Sequence, residues 1–141
     1  KYHLRWNHYN QTASKAEQIA LCQFIRDGHL AAQSRKLKRL YAAKLKELIL
    51  AVRYAFGKDA SIRVGSGGIN LALRLPCSIP KEQFLLCCKK RGVLVELLKE
   101  ESGFIDLLLS CSTMPADKFL PGCLCLSEIW KEVSHLSFKS F

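Results

Sequence analysis

The sequence predicts an α+β fold, a small and mostly antiparallel sheet packed against a long N-terminal helix and two further helices. Three observations carry this expectation. Apolar residues recur at three- and four-residue spacing up to Phe56; the period changes to two after Gly57; and 141 residues suffice for one core but are short for two domains of ordinary size. With 49% hydrophobic and 24% charged residues, the composition is that of a globular chain rather than a disordered one.

The elements follow in order. Ser14 followed by Glu17 is a capping-box pattern and starts a helix, whose apolar side is Ile19, Leu21, Cys22, Phe24 and Ile25. Asp27-Gly28 stops or bends it. A longer helix is expected from about Ala31 to Phe56, with Leu37, Leu40, Tyr41, Leu45, Leu48, Ile49 and Val52 as its stripe and Gly57 just past its end. Opposite the stripe lie Arg35, Lys36, Lys38, Arg39, Lys44, Lys46 and Arg53, a face expected to be wet and the source of much of the net charge of +10.

Ser61 to Val64 and Ile69 to Leu75 alternate around Gly65-Ser66-Gly67-Gly68, which reads as a β-hairpin or two linked strands. Pro80, at the first helical position, opens a helix through Arg91 that Gly92 ends. Val93 to Val95 reads as a short strand, a polar stretch from Lys99 to Gly103 follows, and Phe104 to Leu109 is an apolar strand. The last helix begins near Pro115-Ala116-Asp117 and turns Phe119, Leu120, Leu124, Ile129, Trp130 and Val133 to the core; Pro121 implies a kink or a later start. The tail from Ser134 to Phe141 shows no period.

Side-chain chemistry argues against a self-sufficient catalytic site. Seven cysteines form an odd set, and neither Cys87-Cys88 nor Cys123/Cys125 has the spacing of a zinc knuckle, so they read as buried free thiols in a reducing compartment, with no metal. The Gly-rich stretch opens no helix and reads as a turn. His3, His8, His29 and His135 are scattered without triad partners, and Glu96, Glu100, Glu101 and Asp106 read as a solvated acidic run. The cationic helix could follow a phosphate backbone, yet no aromatic interrupts its basic face to stack on bases, which places nucleic-acid binding below a solvated face. No apolar run reaches the ~18 residues of a membrane helix, so a soluble, cytoplasmic chain without a membrane partner is expected.

Phe24-Ile25-Arg26-Asp27-Gly28-His29 followed by Arg35-Lys36-Leu37-Lys38-Arg39-Leu40-Tyr41 resembles the "F-I-x-x-G-H … R-R-M-R-x-x-Y" signature of MocR-type GntR transcriptional regulators, which join a winged-helix domain to a large domain resembling fold-type I aminotransferases. Tyr9 to Gln18 is similar to that family's segment leaving the large domain, Gly65 to Leu71 to its "G-x-x-A-G-L-H" strand entry with Gly67 for Ala and Asn70 for His, Arg91 to Val95 to "x-G-V-x-V", and Leu107 to Met114 to "L-x-L-G-F-A-x-L". Gly28, His29, Tyr41, Gly67, Gly68 and Asn70 are the family-motif positions.

The resemblance implies the C-terminal small domain of such a protein: residues 1–14 leaving an absent large domain, 15–133 the aminotransferase-like small domain, and 134–141 a tail. Lys1, opening the chain without an initiator Met, fits a fragment of a longer reading frame. It further implies pyridoxal phosphate in the parent and none for this chain alone, no catalytic or cofactor-binding residue here, a homodimeric parent, and DNA reached through an absent winged-helix domain. The family's substrate-carboxylate arginine aligns with Leu108, which cannot form a guanidinium fork. Ser110 and Cys111 replace the usual Gly and Phe. The function implied is effector sensing in a regulator; the alternatives are the small domain of a class I/II aminotransferase acting on amino acids, and a basic nucleic-acid-binding module.

Overall fold

The computed structural model describes residues 14–77, 79–101, 103–112 and 114–137. His3, His8, the part of the Tyr9 to Gln18 motif up to Ala13, the end of the tail from 138 and the side chains of Lys99, Glu100, Glu101 and His135 lie outside the described residues. The chain divides into two compact units, one ending at Leu37 and one running from Lys38.

Helix α1 (Lys15–Arg26) and the start of α2 (His29–Phe56) make up the described part of the first unit. The expected capping box is present. Glu17 N–H donates to Ser14 Oγ at 3.2 Å, and the Glu17 carboxylate accepts from Ser14 N–H at 2.8 Å. No residue of α1 is buried; the apolar side expected from Ile19, Leu21, Phe24 and Ile25 is exposed.

The second unit holds the rest of α2, then β1 (Ser61–Val64), β2 (Asn70–Pro76), α3 (Lys81–Lys90), β3 (Glu96–Glu101), β4 (Phe104–Ser110), a short 3-10 turn (Ala116–Lys118) and α4 (Phe119–Ser137). The four strands pair in the order β1-β2-β4-β3, every neighbouring pair antiparallel. This is the α+β architecture the two periods predicted.

Because side chains alternate across a strand, the pairing register assigns each residue to a face. Ile62, Leu73, Leu107 and Leu97 form one cross-strand row on the face that meets the helices, with Leu71, Leu75 and Ile105 beside it. Leu45, Leu48, Val52 and Phe56 of α2, Phe84 and Cys88 of α3, and Phe119, Cys123, Leu126, Ile129 and Trp130 of α4 complete the core. Polar anchors fix the helices: Ser127 Oγ donates to the Ala55 carbonyl at 2.9 Å, and Trp130 Nε1 donates to the Pro76 carbonyl at 2.7 Å.

Several expectations need correction. Val93 to Val95 is not a strand: Val93 N–H donates to the Cys88 carbonyl and Gly92 N–H to that of Lys89, a Schellman end to α3 with Gly92 at φ +73. The strand begins three residues later and absorbs the polar run Lys99 to Glu101, which an edge strand tolerates because only one side pairs. Pro80 caps α3 rather than occupying its first turn. Pro121 causes no break, since it lies in the first turn of α4, where backbone N–H groups have no intrahelical acceptor. Leu120 and Leu124 are exposed, and Cys123 and Leu126 take the core positions. The wet face of α2 holds except at Lys44, which is half-buried with its ammonium 5.9 Å from the Phe119 ring centroid. Leu37 and Leu40 of the expected stripe are exposed. Helix α4 continues past Val133 to Ser137.

Candidate functional site

The sheet face turned away from the core carries the side chains with chemistry. Arg63, Ala72, Leu108 and Glu96 form one cross-strand row there, one residue from each strand. The next row holds Ser61, Arg74 and Asp106 on β1, β2 and β4. Asn70 and Ser110 pair at the far end.

Arg74 and Asp106 settle the electrostatics of the second row. Arg74 Nε donates to Asp106 Oδ1 at 2.7 Å and Nη2 to Oδ2 at 2.9 Å, a bidentate fork on a carboxylate only 8% exposed. The guanidinium also stands 5.8 Å from the Phe104 ring centroid. Asp106 is therefore no part of a solvated acidic run: it lies within β4, flanked by the buried Ile105 and Leu107, and its charge is matched across the sheet. The sequence held a signal for this pair. Leu73-Arg74-Leu75 and Ile105-Asp106-Leu107 each set one charge, of opposite sign, between two apolar residues, so that both charges leave the core on the same face.

Between the two rows and the hairpin lies a hollow of about 350 Å³, lined by Arg63, Asn70, Ala72, Leu98, Asp106 and Leu108 among others. Leu98 reaches it because the register of β3 shifts between Leu97 and Lys99. A second hollow of about 270 Å³ opens beyond the start of β3, where Leu94, Glu96, Ser110, Met114 and Phe119 surround Leu108 and its neighbours. Leu108 borders both.

The family-motif positions are only partly brought together. Asn70 opens β2 beside the first hollow; its Oδ1 is buried and has no hydrogen-bond partner among the described residues. Gly67 and Gly68 form the hairpin turn closed by Gly65 N–H to the Asn70 carbonyl at 2.9 Å, and only Gly68, at φ +68, occupies the left-handed region. Cys111 ties a further position, Tyr41, to the start of β2: its N–H donates to the Ile69 carbonyl at 2.9 Å and its Sγ lies 3.9 Å from the Tyr41 carbonyl. Gly28 (φ +77) and His29, whose ring stands 5.4 Å from that of Phe24, belong to the first unit. Arg63, Ala72, Leu98 and the Arg74–Asp106 pair are the residues that reading the sequence did not single out.

The thiols are free; Cys77, Cys88, Cys111 and Cys123 are buried and Cys22, contrary to expectation, is exposed. Burial, followed by the neighbouring Cys87 and Cys125, pushes the Cys88 thiol up to about 11, and burial pushes Cys123 up to about 11. Protonated thiols of this kind are poor nucleophiles and poor ligands. Among the described residues no three His, Cys, Asp or Glu side chains gather as a metal site. No helix among them is long and apolar enough to cross a membrane.

Compared with solved structures, the fold matches the α-aminoadipate aminotransferase LysN of Thermus thermophilus with a TM-score of 0.68 at 16% identity, over 85% of this chain and 32% of that one. The kynurenine aminotransferase of Pyrococcus horikoshii matches with a TM-score of 0.64 at 18% identity, over 78% and 28%. The chain shares its fold with part of these two aminotransferases. In sequence, the chain is similar to two Bacillus subtilis proteins described as uncharacterized HTH-type transcriptional regulators. YdeL is 27% identical over 60% of this chain, and YhdI 24% identical over 85%. The resemblance to MocR-type regulators and to the aminotransferase small domain is thus met from both directions. The chain spans 18% and 26% of these regulators' own length. No family model matches.

Proposed function

We propose that this aminotransferase-like domain is the effector-sensing C-terminal part of a MocR/GntR-type transcriptional regulator and is not catalytic alone. The observation that carries the reading is the open sheet face: Leu108, at the position of the family's carboxylate-binding arginine, is apolar, and the arginine nearest to it in the next row, Arg74, is held by Asp106. A face altered in this way suits recognition better than ordinary transamination of amino acids. The regulator relatives, of which the chain covers about a quarter at most, support a larger parent that reaches DNA through a winged-helix domain. A homodimeric, cytoplasmic parent belongs to the same proposal.

The Thermus aminotransferase was solved with N-(5′-phosphopyridoxyl)-L-leucine bound, and pyridoxal phosphate in the parent is part of the reading. The residues described here do not themselves fit that group. Among the described residues no lysine lines the hollow beside Leu108, and its carboxylate, Asp106, is bound by Arg74. Any pyridoxal phosphate in the parent is accordingly assigned to the large domain.

The gene sequence upstream of Lys1 tests the reading: a large domain with a Schiff-base lysine preceded by a winged helix is expected. A large domain with no winged helix would favour the second reading, a class I/II aminotransferase, which the likeness to LysN supports. Pyridoxal phosphate added to the chain should form no stoichiometric aldimine at a single lysine, and finding one would sink the assignment of the cofactor to the large domain.

A further inference from the structure

The open face carries two strand arginines in different electrostatic states. Arg74 is bound bidentately by Asp106. The guanidinium of Arg63, on the edge strand β1, has no ion pair or hydrogen bond among the described residues, and the residue is exposed. Arg63 borders one hollow together with Asp106, the carboxylate that binds Arg74, whereas Arg74 itself does not line it.

The register places Arg63 in the row of Leu108, with Ala72 between them. Two strand spacings separate Arg63 from Leu108, roughly 10 Å. An arginine side chain is longer than one such spacing, and Ala72 is the smallest side chain that still maintains the strand. The space above Ala72 is therefore left open between a cation on one side and the apolar Leu108 and Leu98 on the other, and all four residues line the hollow of about 350 Å³. That volume lies at the small end of ligand pockets.

We propose that Arg63 is the anion anchor of this hollow and that its ligand is a small monocarboxylate with an apolar body. The planar guanidinium takes the carboxylate as a fork, while Leu98 and Leu108 cover the apolar part. An inorganic anion satisfies only the first half of the site, and an uncharged apolar molecule only the second. The inference rests on the effector-sensing reading and adds the chemical class of the effector.

The test is a titration of the 15N-labelled chain, followed by amide and arginine Nε–H shifts, with 4-methylpentanoate, 4-methylpentanamide, acetate and inorganic phosphate. Saturable binding of 4-methylpentanoate in the low millimolar range is expected, about 1–10 mM, with shifts at Arg63, Ala72 and Leu108. The amide, acetate and phosphate should each bind at least about fivefold more weakly. Arg63→Gln should weaken 4-methylpentanoate by about tenfold and leave the amide unchanged, since only the charged contact is lost. Ala72→Leu, which fills the middle of the row and leaves the guanidinium in place, should weaken acid and amide alike. Equal binding of acid and amide, an Arg63→Gln chain that binds the acid as the parent chain does, tighter binding of phosphate than of the acid, or no saturable shift at all would overturn the proposal. Each of these outcomes leaves the upstream gene test of the regulator reading untouched.

Discussion

Arg74 and Asp106 lie directly opposite one another on β2 and β4, joined by hydrogen bonds of 2.7 and 2.9 Å. The pair sits between strand positions whose neighbours are fully buried, with the carboxylate 8% and the guanidinium 32% exposed. Removing one partner takes the bidentate contact from a half-desolvated charge, whereas removing both relieves that cost. Asp106→Ala should therefore destabilise the chain by about 1–3 kcal/mol in urea unfolding, the partial exposure of Arg74 keeping it below the fully buried case. The double change Arg74→Met with Asp106→Leu should recover most of that loss. An Asp106→Ala chain as stable as the parent would mean that the pair contributes nothing beyond its geometry.

Leu73 and Leu107 test which face of the sheet is the core. They are cross-strand partners, both fully buried against the helices. Leu73→Ala or Leu107→Ala should cost about 2–5 kcal/mol through lost burial and the cavity left behind. Leu108→Ala, one residue along β4 on the open face, should cost under about 1 kcal/mol. Because the first two leucines touch, their double substitution should depart from additivity. Comparable losses at positions 107 and 108 would contradict the assignment of faces.

How far the sequence reaches depends on the range of the interaction that decides each feature. The Ser14–Glu17 box, the end of α2 at Gly57 and the alternation in β2 are set within a few residues, and they stand as expected. The true start of β3 is hidden because its partner β4 follows it in sequence and because an edge strand need not advertise itself by alternation. Leu120 and Leu124 look like core on composition; the rotation of α4, fixed by packing of Cys123, Leu126 and Ile129, places them outside. The row joining Arg63 to Leu108 exists only through two successive pairings, so residue spacing carries no trace of it.

The hairpin at Gly67-Gly68 separates two glycines that look interchangeable. A Cβ added at Gly67 meets only Ile69 Cγ1 at 3.9 Å, and the backbone there is not left-handed. At Gly68 space is open, but φ is +68, a region costly for a residue with a Cβ. Gly67→Ala should thus be neutral or slightly stabilising by restricting the unfolded chain. Gly68→Ala should cost about 1–2 kcal/mol. Thermal unfolding of the two variants distinguishes them, and a reversed order would show that the turn is not held as described.

The buried thiols give the chain a predictable response to alkali. Cys88 and Cys123 are held protonated up to about 11 against an ordinary value of 9.0, in both cases chiefly by burial. Since their folded pKa values are raised, the folded state binds protons more tightly than the unfolded one across that window, and the stability they contribute is complete below about pH 9 and lost as pH rises toward 11. The expected result is an unfolding free energy that declines by a few kcal/mol from pH 9 to 11, beyond any slope from groups that titrate alike in both states. The variant Cys88→Ala with Cys123→Ala should start less stable through lost packing yet show a shallower decline. Thiol labelling gives the kinetic counterpart: at neutral pH the exposed Cys22 should react first, while Cys88 and Cys123 should react only at the rate of opening. Equal alkaline slopes in the parent and the double variant would remove the thiols as the cause.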